Sequence, residues 1–520
     1  MLSLKYNPSN IMKSLCCLHL KHLRNYTSVF TVLLALMSFS GCENVSTAER
    51  PNVLLIVSDN HGAWQLGCYG NPDIYSPNID KMASEGVRFT RAMSCNPVCS
   101  PTRASILTGL IPSQHGVHHW LQDGKKQVGD EAECSIAEFV TLPEVLSKEG
   151  YYCGLVGKWH LGDNINPQEG FEYWTTMLSG LTRSFYNVDV VDNGRVYNEP
   201  GYLTEYWTGH AKKFLNNAKE KYEATGQPFY MHLTYNGPYS LDPELLTDPA
   251  RSGNRHYARY ENMEMESFPR MEPHKGLFKH TIELNRVDAM RATAAQISGV
   301  DEGVGEVLAE LERLGLDKNT LVLFCADQGM AGGHHGIWGM GHNTKPSVAY
   351  DKVIQVPLIV SHPGAVVEGD TCDFLVNNYD IMPFVLDYVG LGAEMPENSP
   401  GRSFAPVVRG ETMEWQNETY FEHFYTRAIR TDRWKYVWRF EQPADLFDLH
   451  ENPEETRNLA EDPDYSEIIV DLKAKIDSFF NEYANPKYDI LKGGESKSWR
   501  PPFAEPDFVP IENKTRYYNY

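Results

Sequence analysis

Asn52-Val-Leu-Leu-Ile-Val-Ser-Asp-Asn60 is an uninterrupted apolar run that stops at a serine, an aspartate and an asparagine. Short apolar runs of this kind are typical of strands buried on both faces of a parallel sheet. Segments with helical spacing and helix-end signals stand between it and later runs of the same kind. We therefore predict an α/β fold with a large mixed, mostly parallel sheet sandwiched by helices. The other predicted strands are residues 154–156, 229–234, 321–325 and 357–360, and the predicted helices are residues 76–86, 141–150, 294–314 and 380–388.

Two of the predicted strands end in a pair of oxygen-bearing side chains. Asp59 and Asn60 follow the first strand, and Asp327 and Gln328 follow the strand at residues 321–325. Because ligands bind outside the carboxyl ends of strands in an open parallel sheet, we expect these four side chains to converge. Two carboxylates and two amide carbonyls form a hard oxygen cage, which suits Ca²⁺ better than Zn²⁺. The alternative interpretation is that each aspartate only caps a turn or a helix.

The sequence pattern changes near residue 414, where the apolar runs become shorter and are joined by turns. We predict a catalytic domain at residues 51–413 and a small C-terminal α+β subdomain at residues 414–520, with a small antiparallel sheet and a helix. The predicted strands of this subdomain are residues 419–423, 428–431 and 434–439, and its predicted helix is residues 466–483.

The amino-terminal segment predicts export. An apolar run at residues 29–39 follows several basic residues, is too short to span a bilayer, and leads into Ser40-Gly41-Cys42. This order indicates a signal peptide with a lipobox at residues 1–42 and a tether at residues 43–50, with Met12 as an alternative start. We expect a protein of the periplasm or cell surface, whose membrane contact is limited to a lipid anchor on Cys42.

The composition excludes one class of partner. The 520-residue chain has a net charge of −22, so we expect no nucleic-acid partner bound through a basic surface. A polyanionic substrate would have to be met by locally concentrated lysine, arginine or metal ions. An exported protein can form disulfides, but no spacing among the 10 cysteines dictates a pairing.

Cys99-Ser-Pro-Thr-Arg-Ala-Ser-Ile-Leu-Thr-Gly109 lies between the two strand-end pairs. It resembles the Cys-x-Pro-x-Arg signature of the formylglycine-dependent sulfatases, which have an alkaline-phosphatase-like fold and include bacterial secreted polysaccharide sulfatases. The resemblance covers nearly the whole chain and implies a sulfuric ester hydrolase. It extends to residues 66–71, 76–80, 86–90, 157–162, 335–339, 356–359 and 445–449.

The resemblance implies that Cys99 is converted to formylglycine (3-oxoalanine) by a formylglycine-generating or an anaerobic sulfatase-maturating enzyme. The hydrated aldehyde is a geminal diol, in which one hydroxyl attacks sulfur and the second loses a proton so that sulfate is expelled. An ordinary cysteine or serine nucleophile would stay trapped as a stable ester. The resemblance also implies one Ca²⁺ per active site, bound by Asp59, Asn60, residue 99, Asp327 and Gln328.

Four further residues receive catalytic roles from the same resemblance. Arg103 would stabilise the ionised diol, while Lys158 and His160 would hold sulfate oxygens and the ester oxygen. His335 is a candidate for protonating the leaving oxygen. Taken alone, Lys158 would be interpreted as an exposed lysine and His160 as a helix cap, but beside the cysteine motif the catalytic interpretation is favoured.

Several positions depart from the family pattern. Asn60 stands where the family usually has aspartate, and Gln328 stands where it has asparagine or histidine, so the cage loses one negative charge and should bind Ca²⁺ somewhat more weakly. The family's Pro-His becomes Pro-Tyr239, and the lysine of its Trp-Gly-Lys-Gly segment becomes Met340. The residues expected to contact substrate instead are Tyr239, His342 and Lys345.

We expect a sulfated carbohydrate, either a polysaccharide or an oligosaccharide, as the substrate. Export favours an extracellular polymer, and the polar, weakly periodic residues 242–279 predict a long loop or lid at its entrance. Two alternatives stay open: a phosphonate or phosphate ester hydrolase of the same superfold, and a non-catalytic glycan-binding relative. The cysteine motif favours sulfate esters over both.

Overall fold

The structure, a computed structural model, describes residues 50–121, 126–239 and 254–498. The predicted signal peptide, Cys42 with its lipobox, all but the last residue of the tether and part of the predicted lid lie outside the described residues. From Pro51 onward, the described residues form one compact unit. None of their helices is both long and apolar enough to cross a membrane.

The main sheet is mixed, with parallel strands at its centre. In chain order its strands are β1 (Asn52–Ser58), β2 (Val87–Met93), β3 (Tyr152–Gly157), β4 (Tyr173–Met177), β5 (Val188–Asp192), β6 (Arg195–Glu199), β7 (Phe229–Thr234), β8 (Thr320–Ala326), β9 (Leu358–Ser361) and β10 (Asp370–Asn377). They are hydrogen-bonded in the order β10-β2-β9-β8-β1-β7-β3-β4-β5-β6. The central strands β8, β1, β7, β3 and β4 are parallel, whereas β9, β5 and β6 pair in antiparallel fashion. The predicted fold class is confirmed.

Helices cover both faces of the sheet because successive residues of each central strand point to opposite sides. On β1, Leu54 and Ile56 contribute to one buried core, while Val53, Leu55 and Val57 contribute to the other. The helices of this part of the chain are α1 (Pro77–Ser84), α2 (Cys99–Thr108), α3 (Pro112–His115), α4 (Leu142–Lys148), α5 (Leu203–Thr225), α6 (Tyr257–Tyr260), α7 (Val287–Leu314), α8 (Asp351–Ile354), α9 (Ile381–Tyr388) and α10 (Ala405–Val408).

A second, antiparallel sheet follows near the carboxyl end, as predicted. Its strands, in both chain and spatial order, are β11 (Glu418–His423), β12 (Thr426–Thr431), β13 (Trp434–Arg439) and β14 (Asp445–Asp448). The helix α11 (Ser466–Tyr483) packs on this sheet through Leu472, Ile476 and Phe480. The boundary at residue 413 stays a prediction.

Some elements were not predicted. The longest of these is α5, although Leu203, Trp207, Ala211 and Leu215 recur at four-residue spacing and are all buried. The last two strands at one side of the sheet, β5 and β6, were not predicted either, because their half-exposed faces give them no continuous apolar run. The seven cysteines among the described residues are not disulfide-bonded.

A buried ion network joins β13 of the second sheet to α8 and to the loop after β14. The Lys435 ammonium, 1% exposed, contacts Asp351 and lies 2.7 Å from Glu455 Oε1. Arg430 Nη2 lies 3.1 Å from Asp351 Oδ2. Removing one partner from such a network leaves buried charges without compensation.

We therefore expect Lys435→Ala to lower the free energy of unfolding by about 3 kcal/mol, because the buried carboxylates of Asp351 and Glu455 would lose their shared ammonium partner. Urea-induced unfolding of purified protein measures this. The matched control is Lys148→Ala, which removes a 69% exposed lysine paired with Glu144 and should change the stability by less than about 0.5 kcal/mol. Equal effects of the two substitutions would contradict the assigned role of the network.

Candidate active site

Asp59 and Asp327 leave the sheet side by side. Strands β1 and β8 pair in parallel with Ser58 opposite Ala326, so the next residue of each strand is at the same level. The amide of Asp327 donates to the carbonyl of Ser58 at 3.1 Å, and the amide of Asn60 donates to Asp327 Oδ1 at 3.2 Å. Both carboxylates are fully buried. The two strand-end acids therefore converge on one point at the carboxyl edge of the sheet.

Cys99 meets these acids at the first residue of α2, a helix in which all residues are buried. Its thiol donates to Asp59 Oδ1, with Sγ 3.7 Å from that oxygen. Ligand atoms of Asp59, Cys99 and Asp327 all lie within 4.8 Å of one another, an arrangement that could hold a metal ion. Near the start of α2, the Thr102 hydroxyl oxygen lies 2.9 Å from each of the carbonyl oxygens of Val98 and Cys99, which share its single proton.

Two buried cations neutralise the two acids. Lys158 Nζ lies 2.5 Å from Asp59 Oδ2 and 3.6 Å from Cys99 Sγ. Arg103, one turn into α2, donates from Nε to Asp327 Oδ2 at 3.0 Å and from Nη1 to the Lys158 carbonyl at 2.7 Å. The four charged side chains thus form one network around the sulfur atom.

Gly157 allows the chain to deliver Lys158 into the site. Its φ is +111°, and a Cβ at this position would lie 1.9 Å from the carbonyl oxygen of Thr234 on β7. Only glycine fits such a close backbone approach in this conformation. The turn that follows β3 therefore depends on this residue.

The charges of the network follow from burial and from one another. Burial raises the pKa of Asp327 to about 6, and the neighbouring Asp59 carboxylate adds to this effect. Burial alone would lower the pKa of Lys158, but Asp59 outweighs it and raises the pKa above the ordinary lysine value. Burial and the Asp59 charge raise the pKa of the Cys99 thiol to about 12, so the unmodified side chain is protonated at neutral pH and is a weak nucleophile.

The two amide side chains predicted as ligands also face this point. Gln328 Nε2 lies 3.3 Å from both Asp59 Oδ1 and Cys99 Sγ, and it contacts Asn60 Oδ1. A half-turn of the Gln328 amide would place its carbonyl oxygen there instead, beside two other oxygen atoms. Asn60 has φ +57°, a conformation that asparagine tolerates better than most residues.

His160 lies behind the cysteine helix. The Ser100 hydroxyl donates to its carbonyl at 2.9 Å, and its ring Nε2 lies 3.0 Å from the carbonyl oxygen of Leu121. This contact requires a proton on Nε2, so Nδ1, which has no hydrogen-bond partner among the described residues, carries the lone pair. Burial, followed by the charge of Lys158, keeps the pKa of His160 well below its ordinary value, and the ring is neutral.

The remaining predicted residues lie in two different places. The ring centroid of Tyr239 is 5.1 Å from Lys158 Nζ, which puts it at the site. His342 is buried two residues after Met340, whose Sδ is 3.4 Å from Gln328 Nε2. The nearby Lys345 lies over the ring of Phe278 at 5.2 Å.

His335 has different neighbours. Its ring stacks on Tyr350 with the centroids 3.8 Å apart. The groups that shift its pKa downward after burial are Lys435, His274 and Lys352, which belong to or surround the ion network of the second sheet. Its role as the leaving-group acid stays a prediction.

Sequence analysis overlooked three polar residues close to this site. His119, Lys279 and His423 surround His342, with ring centroids 5.4 Å apart for His119 and His342 and 6.3 Å apart for His342 and His423. The only local signal was the run His118-His119-Trp120, since the other two residues come from distant parts of the chain.

The family is shown by comparison with known proteins. A model of the sulfatase family matches residues 51–391, and a model described as "N-sulphoglucosamine sulphohydrolase, C-terminal" matches residues 341–482. The chain belongs to the sulfatase family. Its predicted class, a sulfuric ester hydrolase, is confirmed by this membership.

Characterised relatives align with this sulfatase over most of its length. It is 26% identical to an N-acetylglucosamine-6-O-sulfatase of Bacteroides thetaiotaomicron, over 89% of this chain and 92% of the relative. It is also 26% identical to an ulvan-active sulfatase of Formosa agariphila, over 86% of this chain and 84% of the relative.

Solved structures share the fold of this sulfatase. A putative sulfatase of Bacteroides fragilis superimposes with a TM-score of 0.72 at 23% identity, covering 87% of this chain and 100% of the other. A protein solved in complex with its substrate D-glucosamine-2-N,6-O-disulfate gives a TM-score of 0.65 at 22% identity, covering 84% of this chain and 98% of the other.

Proposed function

We propose that this sulfatase hydrolyses sulfate esters of a sulfated polysaccharide or oligosaccharide, using a formylglycine made from Cys99 and one Ca²⁺. The observation that carries the proposal is the position of Cys99, with Sγ 3.7 Å from Asp59 Oδ1 and in one group with Asp327. The relatives named for N-acetylglucosamine-6-O-sulfate and for ulvan support a carbohydrate substrate.

The chemistry of the donor set supports Ca²⁺. Asp59, Asn60, Asp327 and Gln328 offer carboxylate and amide oxygens, which are the ligands of hard cations. Two carboxylates are already balanced by Arg103 and Lys158, so a buried sulfate ester would add an uncompensated negative charge. A divalent cation offsets that charge, because it is the largest local charge in such a site.

When present, Ca²⁺ supplies a fixed positive charge that attracts sulfate oxygens and lowers the pKa of a hydroxyl at residue 99. When formed, formylglycine supplies a hydrated aldehyde whose hydroxyl attacks sulfur and whose second hydroxyl permits sulfate to leave. The unmodified thiol, with its pKa raised to about 12, does not provide a comparable nucleophile.

Residues of the chain would position the ester and move its protons. Lys158 Nζ, 3.6 Å from Cys99 Sγ, is placed to donate to a sulfate oxygen. Arg103 donates to Asp327 Oδ2 and so would fix the orientation of the carboxylate that is proposed to bind Ca²⁺. It also adds positive charge beside the reacting group. His160, neutral and with its lone pair on Nδ1, is suited to accept the proton of the second hydroxyl at residue 99 rather than to donate to sulfate.

Maturation and export are part of the same proposal. Conversion of Cys99 would be carried out by a formylglycine-generating or an anaerobic sulfatase-maturating enzyme. The lipobox ending in Cys42 supports a protein anchored by lipid at the periplasmic or outer surface of a cell. Paired aryl sulfate and aryl phosphate substrates distinguish the proposed reaction from phosphonate or phosphate ester hydrolysis.

We expect Cys99→Ala to abolish turnover of an aryl sulfate, because an alanine methyl group carries no sulfur or oxygen and cannot be converted to the aldehyde. The assay uses protein co-expressed with a maturating enzyme, and mass spectrometry of the hydrazide-trapped residue 99 peptide reports the aldehyde. Cys153→Ala, at a buried cysteine of β3, is the matched control and should retain activity. Near-normal turnover in Cys99→Ala would refute the proposal, and an unmodified thiol in the wild type would favour a non-catalytic glycan-binding protein.

Calcium binding should weaken as the pH falls. The pKa of Asp327 is raised to about 6 in the ion-free protein, so below pH 6 the ion must displace a proton. Between pH 7 and pH 5 the Ca²⁺ affinity should therefore drop about tenfold. Calorimetric titration at both pH values measures this.

The control for this titration is Asp301→Asn, since the pKa of Asp301 is also raised to about 6 by burial but its carboxylate accepts from the backbone amides of Asn78 and Ile79. It should leave the pH dependence of Ca²⁺ binding unchanged, whereas Asp327→Asn should remove it. An affinity independent of pH, or a dissociation constant in the millimolar range at pH 7, would count against the assigned ligands.

A further inference from the structure

Five basic side chains gather beside the active site. We call His119, His342, His423, Lys279 and Lys345 the imidazole–lysine cluster. His342 follows Met340 by two residues, and Met340 Sδ lies 3.4 Å from Gln328 Nε2. His119 precedes Leu121 by two residues, and the Leu121 carbonyl lies 3.0 Å from His160 Nε2. The cluster is therefore adjacent to the position where a sulfate ester would react.

The three imidazoles are packed ring against ring. Centroids are 5.4 Å apart for His119 and His342, 5.5 Å for His119 and His423, and 6.3 Å for His342 and His423. Their nitrogen atoms do not form a metal-ligand group, since the described residues contain one such group and it is Asp59, Cys99 and Asp327.

Backbone pairing brings Lys279 to the histidines. The amide of Phe278 donates to the Asn343 carbonyl at 3.1 Å, and the amide of Lys345 donates to the Gly276 carbonyl at 2.9 Å. Leu277 and Thr344 form an antiparallel bridge between the same two segments. Lys279 and Lys345 are consequently held near each other, and the charge of Lys345 adds to burial in lowering the pKa of Lys279.

Lys279, His342 and His423 have different surroundings from the buried cations of the two ion networks. Arg103, Lys158 and Lys435 each contact carboxylates. By contrast, within residues 50–121, 126–239 and 254–498 no carboxylate oxygen lies within 4.0 Å of a side-chain nitrogen of Lys279, His342 or His423.

Two imidazole nitrogen atoms of the cluster are buried and form no hydrogen bond with the described residues. His423 Nδ1 contacts the Ser347 hydroxyl at 2.7 Å, but its Nε2 has no hydrogen-bond partner among the described residues, and the same holds for His342 Nδ1. His423 is only 3% exposed and His342 only 9% exposed. Buried imidazole nitrogens that have no hydrogen-bond partner, close to an ammonium group that has no carboxylate beside it, are features of an anion-binding site.

We propose that the imidazole–lysine cluster binds a second anionic group of the substrate, either a carboxylate or a second sulfate, beside the sulfate that is hydrolysed. This rests on the proposed function, because it assumes that the sulfate ester binds at Cys99. A second anion would satisfy the free imidazole nitrogens and neutralise Lys279. The cluster therefore selects sugars that carry two neighbouring negative charges over sugars with one.

Matched substrates test the proposal. One pair consists of a disulfated hexosamine and its monosulfated counterpart. The other consists of a monosulfated hexosamine linked to a hexuronate and the same disaccharide with the carboxylate reduced to an alcohol. We expect kcat/KM to be at least about tenfold higher for the doubly anionic member of one pair, the value of a charge-assisted hydrogen bond. The pair that shows this ratio identifies the second anion as sulfate or carboxylate.

Variants assign the preference to the cluster. Lys279→Ala should reduce the ratio to about threefold or less, and Lys279→Arg should keep most of it, because the charge is retained. Lys275→Ala, at an exposed lysine of the same segment, should leave the ratio unchanged. Equal loss of kcat/KM on both members of a pair in Lys279→Ala would overturn the proposal, since it would place Lys279 on the reacting sulfate, and so would a wild-type ratio near 1 in both pairs.

A binding measurement separates this proposal from the proposed function. Calorimetric titration of Cys99→Ala with the same pairs needs no turnover and should show the same preference for the doubly anionic sugar. If the wild type hydrolysed no sulfate ester while this binding preference persisted, the proposed function would be wrong. The proposal that the cluster binds a second anion would then still be supported. If Cys99→Ala bound both members of each pair equally, the cluster proposal would fail whatever the activity.

Discussion

The parallel pairing of β1 with β8 sets the position of every other group in the active site. With Ser58 opposite Ala326, Asp59 and Asp327 have to emerge at one level of the sheet edge. Two carboxylates buried this close repel each other, so the fold is stable only if cations accompany them. Arg103 and Lys158 supply those charges, and both are themselves held within reach of Cys99.

Sharp backbone turns at the ends of β1 and β3 direct the side chains that follow these strands into the site. Asn60 and His160 both adopt positive φ values of 57° and 59°, and Gly157 has φ +111°. Gly157 is the last residue of β3, and Asn60 and His160 lie two and three residues beyond the ends of β1 and β3, where the chain turns to present side chains at the sheet edge. Such unfavourable conformations persist only where the surroundings fix them, and they concentrate at functional sites. The rigid sheet thus allows a precise, fully buried charge network.

Local sequence predicted the centre of this site better than its surroundings. Apolar runs that end in Asp59 and Asp327 identify buried strands and their carboxyl ends, because a strand interior leaves a continuous pattern. The Cys99 motif is contiguous as well. Arg103 lies one helical turn after Cys99, so its proximity to the cysteine follows from helical geometry.

The surroundings depend on contacts between distant segments, which no local pattern encodes. Four residues of the cluster come from separate stretches of the chain and meet only once the two sheets and the loops between them have packed: His119, Lys279, His342 and His423. His335 belongs to a contiguous motif in the loop after β8, but its stacking on Tyr350 is again a contact between separate segments that the motif does not predict. The helix α5 was not predicted although apolar residues recur along it at helical spacing. The strands β5 and β6 have neither a continuous apolar run nor a regular alternation of apolar and polar residues.

The most direct test of the account is a crystal structure of the matured protein grown with Ca²⁺, with the ion located by its anomalous scattering. The account predicts one ion at about 2.3–2.6 Å from oxygens of Asp59 and Asp327, in contact with the oxidised side chain of residue 99. An ion bound elsewhere, or Asp59 and Asp327 separated from each other or from residue 99, would contradict it.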